Sequence, residues 1–182
     1  MIERYLTLAR AQPMASAAIA VAVAGLATIA GFLFFQHVLG YPPCPLCLEQ
    51  RYAFYVAVPL AAMILLGLSV GSSRKVLMLA LLAITAAMLW NAGLGAYHSG
   101  VEWHWWPGPS DCSGPLADFG SGGGLLKRLE HIRIVRCDEA AWRFLGLSLA
   151  GYNVLISLAL AAVAAWGALA SRGGQGSSSA SQ

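Results

Sequence analysis

The chain has 182 residues, of which 58% are hydrophobic and only 10% charged, and its net charge is +3. Soluble domains carry roughly 25% charged residues, so this composition argues against a soluble core. The small positive balance comes without the basic run or aromatic-rich groove that nucleic acid would need, so no nucleic acid partner is expected.

The charges are segregated along the chain. Met14 to Phe35, Tyr52 to Ser73, Val76 to Val101 and Phe144 to Ser171 contain no Asp, Glu, Lys or Arg. Each reaches the ~20 residues that cross a ~30 Å hydrocarbon core as a helix, and backbone in lipid must satisfy its own hydrogen bonds. The expected fold is therefore an all-α integral membrane protein, a four-helix transmembrane bundle in one membrane domain over 1–171. Its helices are expected at about 14–36, 51–71, 76–97 and 144–170. A secretory signal peptide is the competing reading of the first stretch, but signal cores run about 7–15 residues and this one continues to Phe35. The tail, 172–182, is low-complexity and is assigned no chemistry.

Four spans put both termini on one side and the 39–50 and 98–143 loops on the other. All four cysteines, Cys44, Cys47, Cys112 and Cys137, fall in those two loops. A count of cations does not orient the chain. Arg4, Arg10, Arg74, Lys75 and Arg172 lie on one side, and Arg51, Lys127, Arg128, Arg133, Arg136 and Arg143 on the other. The weight of the first helix and the tight "SSRK" turn favour cytoplasmic termini, and four thiols on one face suit an oxidising compartment. Within the long loop, Tyr97, Trp103, Trp105 and Trp106 suit the membrane interface. Leu125, Leu129 and Ile132 recur at helical spacing, which reads as a short amphipathic interfacial helix, while the period-two alternation of "IRIVR" leaves a strand open there.

The cysteines admit three readings. A Cys₄ zinc site usually shows two close pairs, and here only Cys44 and Cys47 form one, since Cys112 and Cys137 stand apart. Inert staples suit a Cys112–Cys137 bridge, which would close a glycine-rich loop and restrict the unfolded chain. They suit Cys44–Cys47 poorly, because a bridge across two residues closes almost no loop. A redox pair suits "PPCPLCLEQR" better. Pro45 fits the first position of a helix, which puts Cys44 near its N-cap and Cys47 in its first turn, where the helix dipole favours a thiolate. Arg51 lies one turn further on the same face, ready to stabilise a thiolate or an electron-accepting ligand, or else simply to snorkel. Cys112 sits in a loop rich in Gly, Pro and Ser. Cys137 precedes Asp138 and Glu139, which suit a helix N-terminus. Acids beside both disfavour thiolates, so this pair reads as a disulfide that an outside thiolate attacks.

These residues resemble the disulfide bond formation protein B (DsbB) family of bacterial inner-membrane thiol–quinone oxidoreductases. The likeness rests on four spans, on "CPLCLEQR" after the first, on two further cysteines in a long loop, and on "CDEAAWRFLGLSLAGYN" leading into the last span. The resemblance implies a disulfide-generating enzyme. A reduced periplasmic thioredoxin-like disulfide oxidase (DsbA-like) would deliver electrons to a Cys112–Cys137 disulfide, with Cys112 taking the mixed disulfide. The Cys44–Cys47 pair would receive them, Cys44 exchanging with the loop pair and Cys47 lying beside ubiquinone or menaquinone from the membrane quinone pool. Arg51 matches the family's quinone-contacting arginine. His98 lies near a family histidine of the quinone site, although its spacing to Cys112 differs; read alone, it is a polar interfacial residue. His37, His104 and His131 receive no role, and no metal is expected. The implied location is the bacterial inner membrane, with cytoplasmic termini and periplasmic cysteine loops. A non-catalytic membrane protein with structural disulfides or zinc is the alternative. A vitamin K epoxide reductase-like protein is a third reading, but there the active C-x-x-C lies late in the chain and the loop pair early, the reverse of the order here.

Overall fold

The structure is a computed structural model and describes residues 12–109 and 136–171. Four long helices account for most of it: α1 (Pro13–His37), α2 (Pro45–Ser69), α3 (Arg74–Glu102) and α4 (Leu149–Ala170). Each is long and apolar enough to cross a membrane. Even α4, with 22 residues, spans about 33 Å at ~1.5 Å per residue. The expected class, an all-α four-helix transmembrane bundle, is the one observed. The interfacial helix expected around Leu125–Ile132 lies outside the described residues.

Short connections force α1, α2 and α3 to run antiparallel to their neighbours, and α4 closes the ring by packing against both α3 and α1. The last turns of α1 and α3 therefore meet the first turns of α2 and α4 at one end, where the described cysteines also lie. The core is built from Ala17, Ala18 and Val21 of α1, Phe54, Ala57 and Ile64 of α2, Leu81, Ile84 and Met88 of α3, and Leu160, Ala161 and Ala164 of α4. Alanine recurs because lipid supplies no hydrophobic drive between helices, so association depends on close backbone approach. Gly167 shows the limit of that approach: a methyl group there would overlap the Ala17 side chain. The outward faces carry Val23, Leu26, Met63, Leu66, Leu79 and Leu155, each more than half exposed, as expected where hydrocarbon is the solvent.

Helix ends depart from the charge-free stretches. Helix α2 begins at Pro45, because an extended Cys44 (φ −75°, ψ 166°) caps it and the proline occupies its first turn. Helix α3 continues to Glu102, which brings His98 and Glu102 into the bundle and out of the loop. One expectation is overturned: Asp138 and Glu139 do not open a helix. Arg143–Phe144 and Leu147–Ser148 instead form a two-stranded antiparallel hairpin, β1 and β2. Its turn holds Leu145 and Gly146 at φ 49° and 83°, left-handed values that a right-handed helix does not tolerate. The last helix starts only after that turn, where the Ser148 hydroxyl accepts the Gly151 N–H at 3.2 Å.

Candidate functional site

The first turn of α2 fixes the close cysteine pair. Cys44 is the N-cap, and its sulfur accepts the Cys47 backbone N–H at 3.1 Å, satisfying one of the helix's orphan donors. Both are free thiols, Cys44 buried and Cys47 half-buried. The Cys44 thiol donates to the Cys47 sulfur at 2.6 Å, so rotation about the side-chain bonds is enough to join them. That hydrogen bond, with burial, pushes the Cys44 thiol well above the usual cysteine range. In the reduced pair the proton therefore stays on Cys44, and Cys47 is the sulfur offered to a ligand.

Cys47 opens onto a cleft walled by Phe32 and Phe35 of α1, Pro43, Gln50 and Arg51, His98 of α3, and Ala150 and Asn153 of α4. Arg51 is only 8% exposed. Its Nη1 donates to Gln36 Oε1 at 2.7 Å, and the guanidinium lies 5.4 Å from the centre of the Phe32 ring. Its buried Nε has no partner among the described residues, an unmet donor on the wall of the cleft, and such groups are costly unless something accepts from them. A flat, apolar ring carrying carbonyl oxygens matches this lining. Phe32, Phe35, Leu149 and Asn153 also line an apolar groove that runs between α1 and α4 past Thr28, Gly31 and Ile156, so an apolar tail has a way in from the bilayer.

His98 is 3% exposed and stands beside the pair, its Nε2 at 3.7 Å from Cys44 Sγ and its Nδ1 at 2.8 Å from Gln50 Nε2. Glu102 Oε1, one turn along, is 3.9 Å from the same Nε2, and the backbone of Cys137 also hydrogen-bonds to the ring. Cys137 is fully buried and packs with Cys44, Leu46 and Val101. It is held in a disulfide. Cys112 lies outside the described residues. Beside Cys137, Arg136 grips Asp138 at 2.7 and 3.0 Å and holds that carboxyl below its usual range.

The structure thus brings Cys44, Cys47, Arg51, His98 and Cys137 to one end of the bundle. Sequence reasoning did not single out Gln50, Glu102, Asn91 or Asn153, all buried there or just below. The available signal was polarity in the wrong place, since Asn91 and Asn153 interrupt otherwise apolar spans. A metal is the other occupant to weigh, because the ligand atoms of Cys44, Cys47 and His98 lie within 4.8 Å of one another. Metal-bound histidines usually give their second N–H to an acceptor. Here the second nitrogen faces an amide donor, which favours a thiol pair over a metal centre.

A profile of the family "Disulfide bond formation protein DsbB" matches residues 14–167. The chain belongs to the DsbB family. Among its relatives, the "Disulfide bond formation protein B" of Albidiferax ferrireducens is 32% identical over 159 residues, covering 77% of this chain and 83% of its own length. The protein of that name from Aromatoleum aromaticum is 35% identical over 141 residues, covering 75% and 81%. That from Polaromonas sp. is 29% identical over 151 residues, covering 79% and 83%. No solved structure matches the chain. The DsbB match takes in the thiol pair, the cleft and all four helices, so the chain is a multi-pass membrane protein of this family.

Proposed function

We propose that this protein is a disulfide-forming thiol–quinone oxidoreductase of the bacterial inner membrane. It reoxidises a periplasmic thioredoxin-like dithiol oxidase and passes two electrons to ubiquinone or menaquinone. The observation that carries the reading is the placing of Cys47: a sulfur at a helix N-terminus, open to an aromatic cleft whose buried arginine has an unmet donor. In this reading the cysteine-bearing end faces the periplasm and both termini face the cytoplasm.

The exchange runs through the chain's own sulfurs. A thiolate of the reduced partner attacks Cys112 of a Cys112–Cys137 disulfide, and Cys137 leaves as thiolate. Cys137 attacks Cys44 of a Cys44–Cys47 disulfide, and Cys47 leaves as thiolate. The second partner thiolate then closes the partner's disulfide and releases Cys112, which in turn displaces Cys44 from Cys137. Two thiol protons and two electrons now reside on Cys44 and Cys47. A bound quinone would accept both electrons and both protons, leaving Cys44–Cys47 oxidised. The partner class is itself strongly oxidising, near −120 mV, so recharging it calls for an acceptor of this kind. Arg51 holds the acceptor's oxygen, Phe32 and Phe35 exclude water, and the cap geometry keeps Cys47 as the exposed sulfur.

The test is quinone reduction by purified protein supplied with reduced partner. Cys47→Ser should abolish turnover. Arg51→Met should raise the KM for quinone about 10- to 100-fold, as expected for a lost hydrogen bond to a charged group. Turnover that persists in Cys47→Ser would sink the mechanism.

A further inference from the structure

A run of buried amides descends from the thiol pair into the middle of the bundle. Asn91 of α3 donates from Nδ2 to Asn153 Oδ1 at 3.2 Å and to Ser157 Oγ at 2.9 Å, both on α4. Asn153 Nδ2 donates to Gln50 Oε1 at 2.6 Å. Gln50 Nε2 donates to the Leu46 carbonyl at 3.1 Å and lies 2.8 Å from His98 Nδ1. Gln50 is 4% exposed, Asn91 1% and Asn153 3%, so these groups depend mainly on one another for hydrogen bonds.

The direction of this chain is determined. The Leu46 carbonyl can only accept, which fixes which end of the Gln50 amide is NH₂. Asn153 supplies the donor that the opposite oxygen needs. The second Gln50 N–H is then aimed at His98 Nδ1, and that nitrogen must accept. A neutral imidazole accepting at Nδ1 carries its proton on Nε2, the nitrogen facing Cys44 Sγ.

We propose that Gln50, held by Asn153, is a positioning residue that keeps His98 neutral with its proton on Nε2, making His98 a fixed hydrogen-bond donor to the thiol pair rather than a proton carrier. The inference rests on the reading of Cys44–Cys47 as the redox pair. The titratable side chains facing His98 are Cys44 ahead of α2, Cys47 in its first turn and Glu102 on α3 itself; Gln50 from α2 and the backbone carbonyl of Cys137, which accepts from the ring, complete its surroundings. Glu102, with one oxygen lacking a partner among the described residues, and the Cys137 carbonyl pull towards an imidazolium. An imidazolium, however, would set an Nδ1 proton against the Gln50 NH₂, donor against donor, at a distance of 2.8 Å. Cys44 suits this assignment: its own proton points at Cys47, and its sulfur accepts from the Cys47 backbone with room for one more donor. When Cys112 displaces Cys44 from Cys137 and charge falls on Cys44, two donors are already in place.

The experiment is long-range proton–nitrogen NMR on ¹⁵N-histidine-labelled full-length protein in lipid nanodiscs. His98 is assigned by its loss in His98→Asn. Across about pH 5 to 8, where an ordinary histidine titrates, His98 should keep a protonated Nε2 and a bare Nδ1. Gln50→Glu, which offers Nδ1 an acceptor instead of a donor, should move the proton to Nδ1. It should also slow quinone reduction about tenfold, the weight of one hydrogen bond. A wild-type His98 protonated at Nδ1 anywhere in that range overturns the proposal, as does a His98 spectrum unchanged by Gln50→Glu. If that variant does not fold, the wild-type spectrum decides alone. The spectra need no turnover, so their failure is separate from a failure of the thiol–quinone reading, which Cys47→Ser decides.

Discussion

The two cysteines of the close pair are chemically unlike although only two residues separate them. Cys44 is buried at the cap, gives its proton to a hydrogen bond with Cys47 and is pushed well above the usual thiol range. Cys47 borders the cleft. In fully reduced protein at mildly alkaline pH, iodoacetamide should therefore modify Cys47 at least about tenfold faster than Cys44, since only thiolates react; mass mapping of the alkylated peptides checks this. Linkage gives a second consequence. Unfolded Cys44 ionises near ~8.5, whereas the folded thiol stays protonated. The stabilisation from the Cys44 hydrogen bond is thus fully present below that pH and is lost as pH rises above it. Denaturation midpoints of the reduced protein should fall above about pH 8.5, and those of the oxidised protein, with no free Cys44 thiol, should not fall for this reason.

Among the helices, what holds the bundle is close approach of small residues. Gly167 of α4 packs on Ala17 and lies near the Pro13 carbonyl of α1, at the end away from the thiols. Gly167→Ala should lower stability by about 1–3 kcal/mol, the usual cost of overpacking, read as a lower unfolding temperature in detergent, with the quinone KM unchanged. The helices were legible because an apolar, charge-free stretch has few other fates in a chain this greasy. The cap was legible too, because Pro45 and the two cysteines carry their own local geometry. The end of α3 was not. Glu102 looked like the start of a polar loop, and only its approach to His98 and to the Ser148 hydroxyl reveals a buried acid. The Gln50–Asn153 hydrogen bond joins residues 103 apart in sequence. No local pattern announces such a pair; only the ring closure of α4 onto α3 and α1 creates it. The start of α4 was misread for a local reason, since the left-handed Leu145 and Gly146 turn lay hidden in a stretch with good helical composition.

Taken whole, the molecule is polarised. One end of an apolar bundle gathers the thiol pair, a buried arginine, a buried histidine and a disulfide-bonded Cys137. A groove between α1 and α4 links that end to the bilayer. Such a layout lets one centre meet a lipid-borne acceptor and a water-borne donor without either crossing the membrane. The most direct test of the proposed electron path is a disulfide map of the purified, quinone-stripped protein before and after one equivalent of reduced partner under anaerobic conditions. At rest, Cys44–Cys47 and Cys112–Cys137 should dominate. After the partner is added, thiols should appear at Cys44 and Cys47, by way of a transient Cys44–Cys137 link, and added ubiquinone should restore the resting map. Thiols confined to Cys112 and Cys137, with Cys44–Cys47 untouched and quinone without effect, would contradict it.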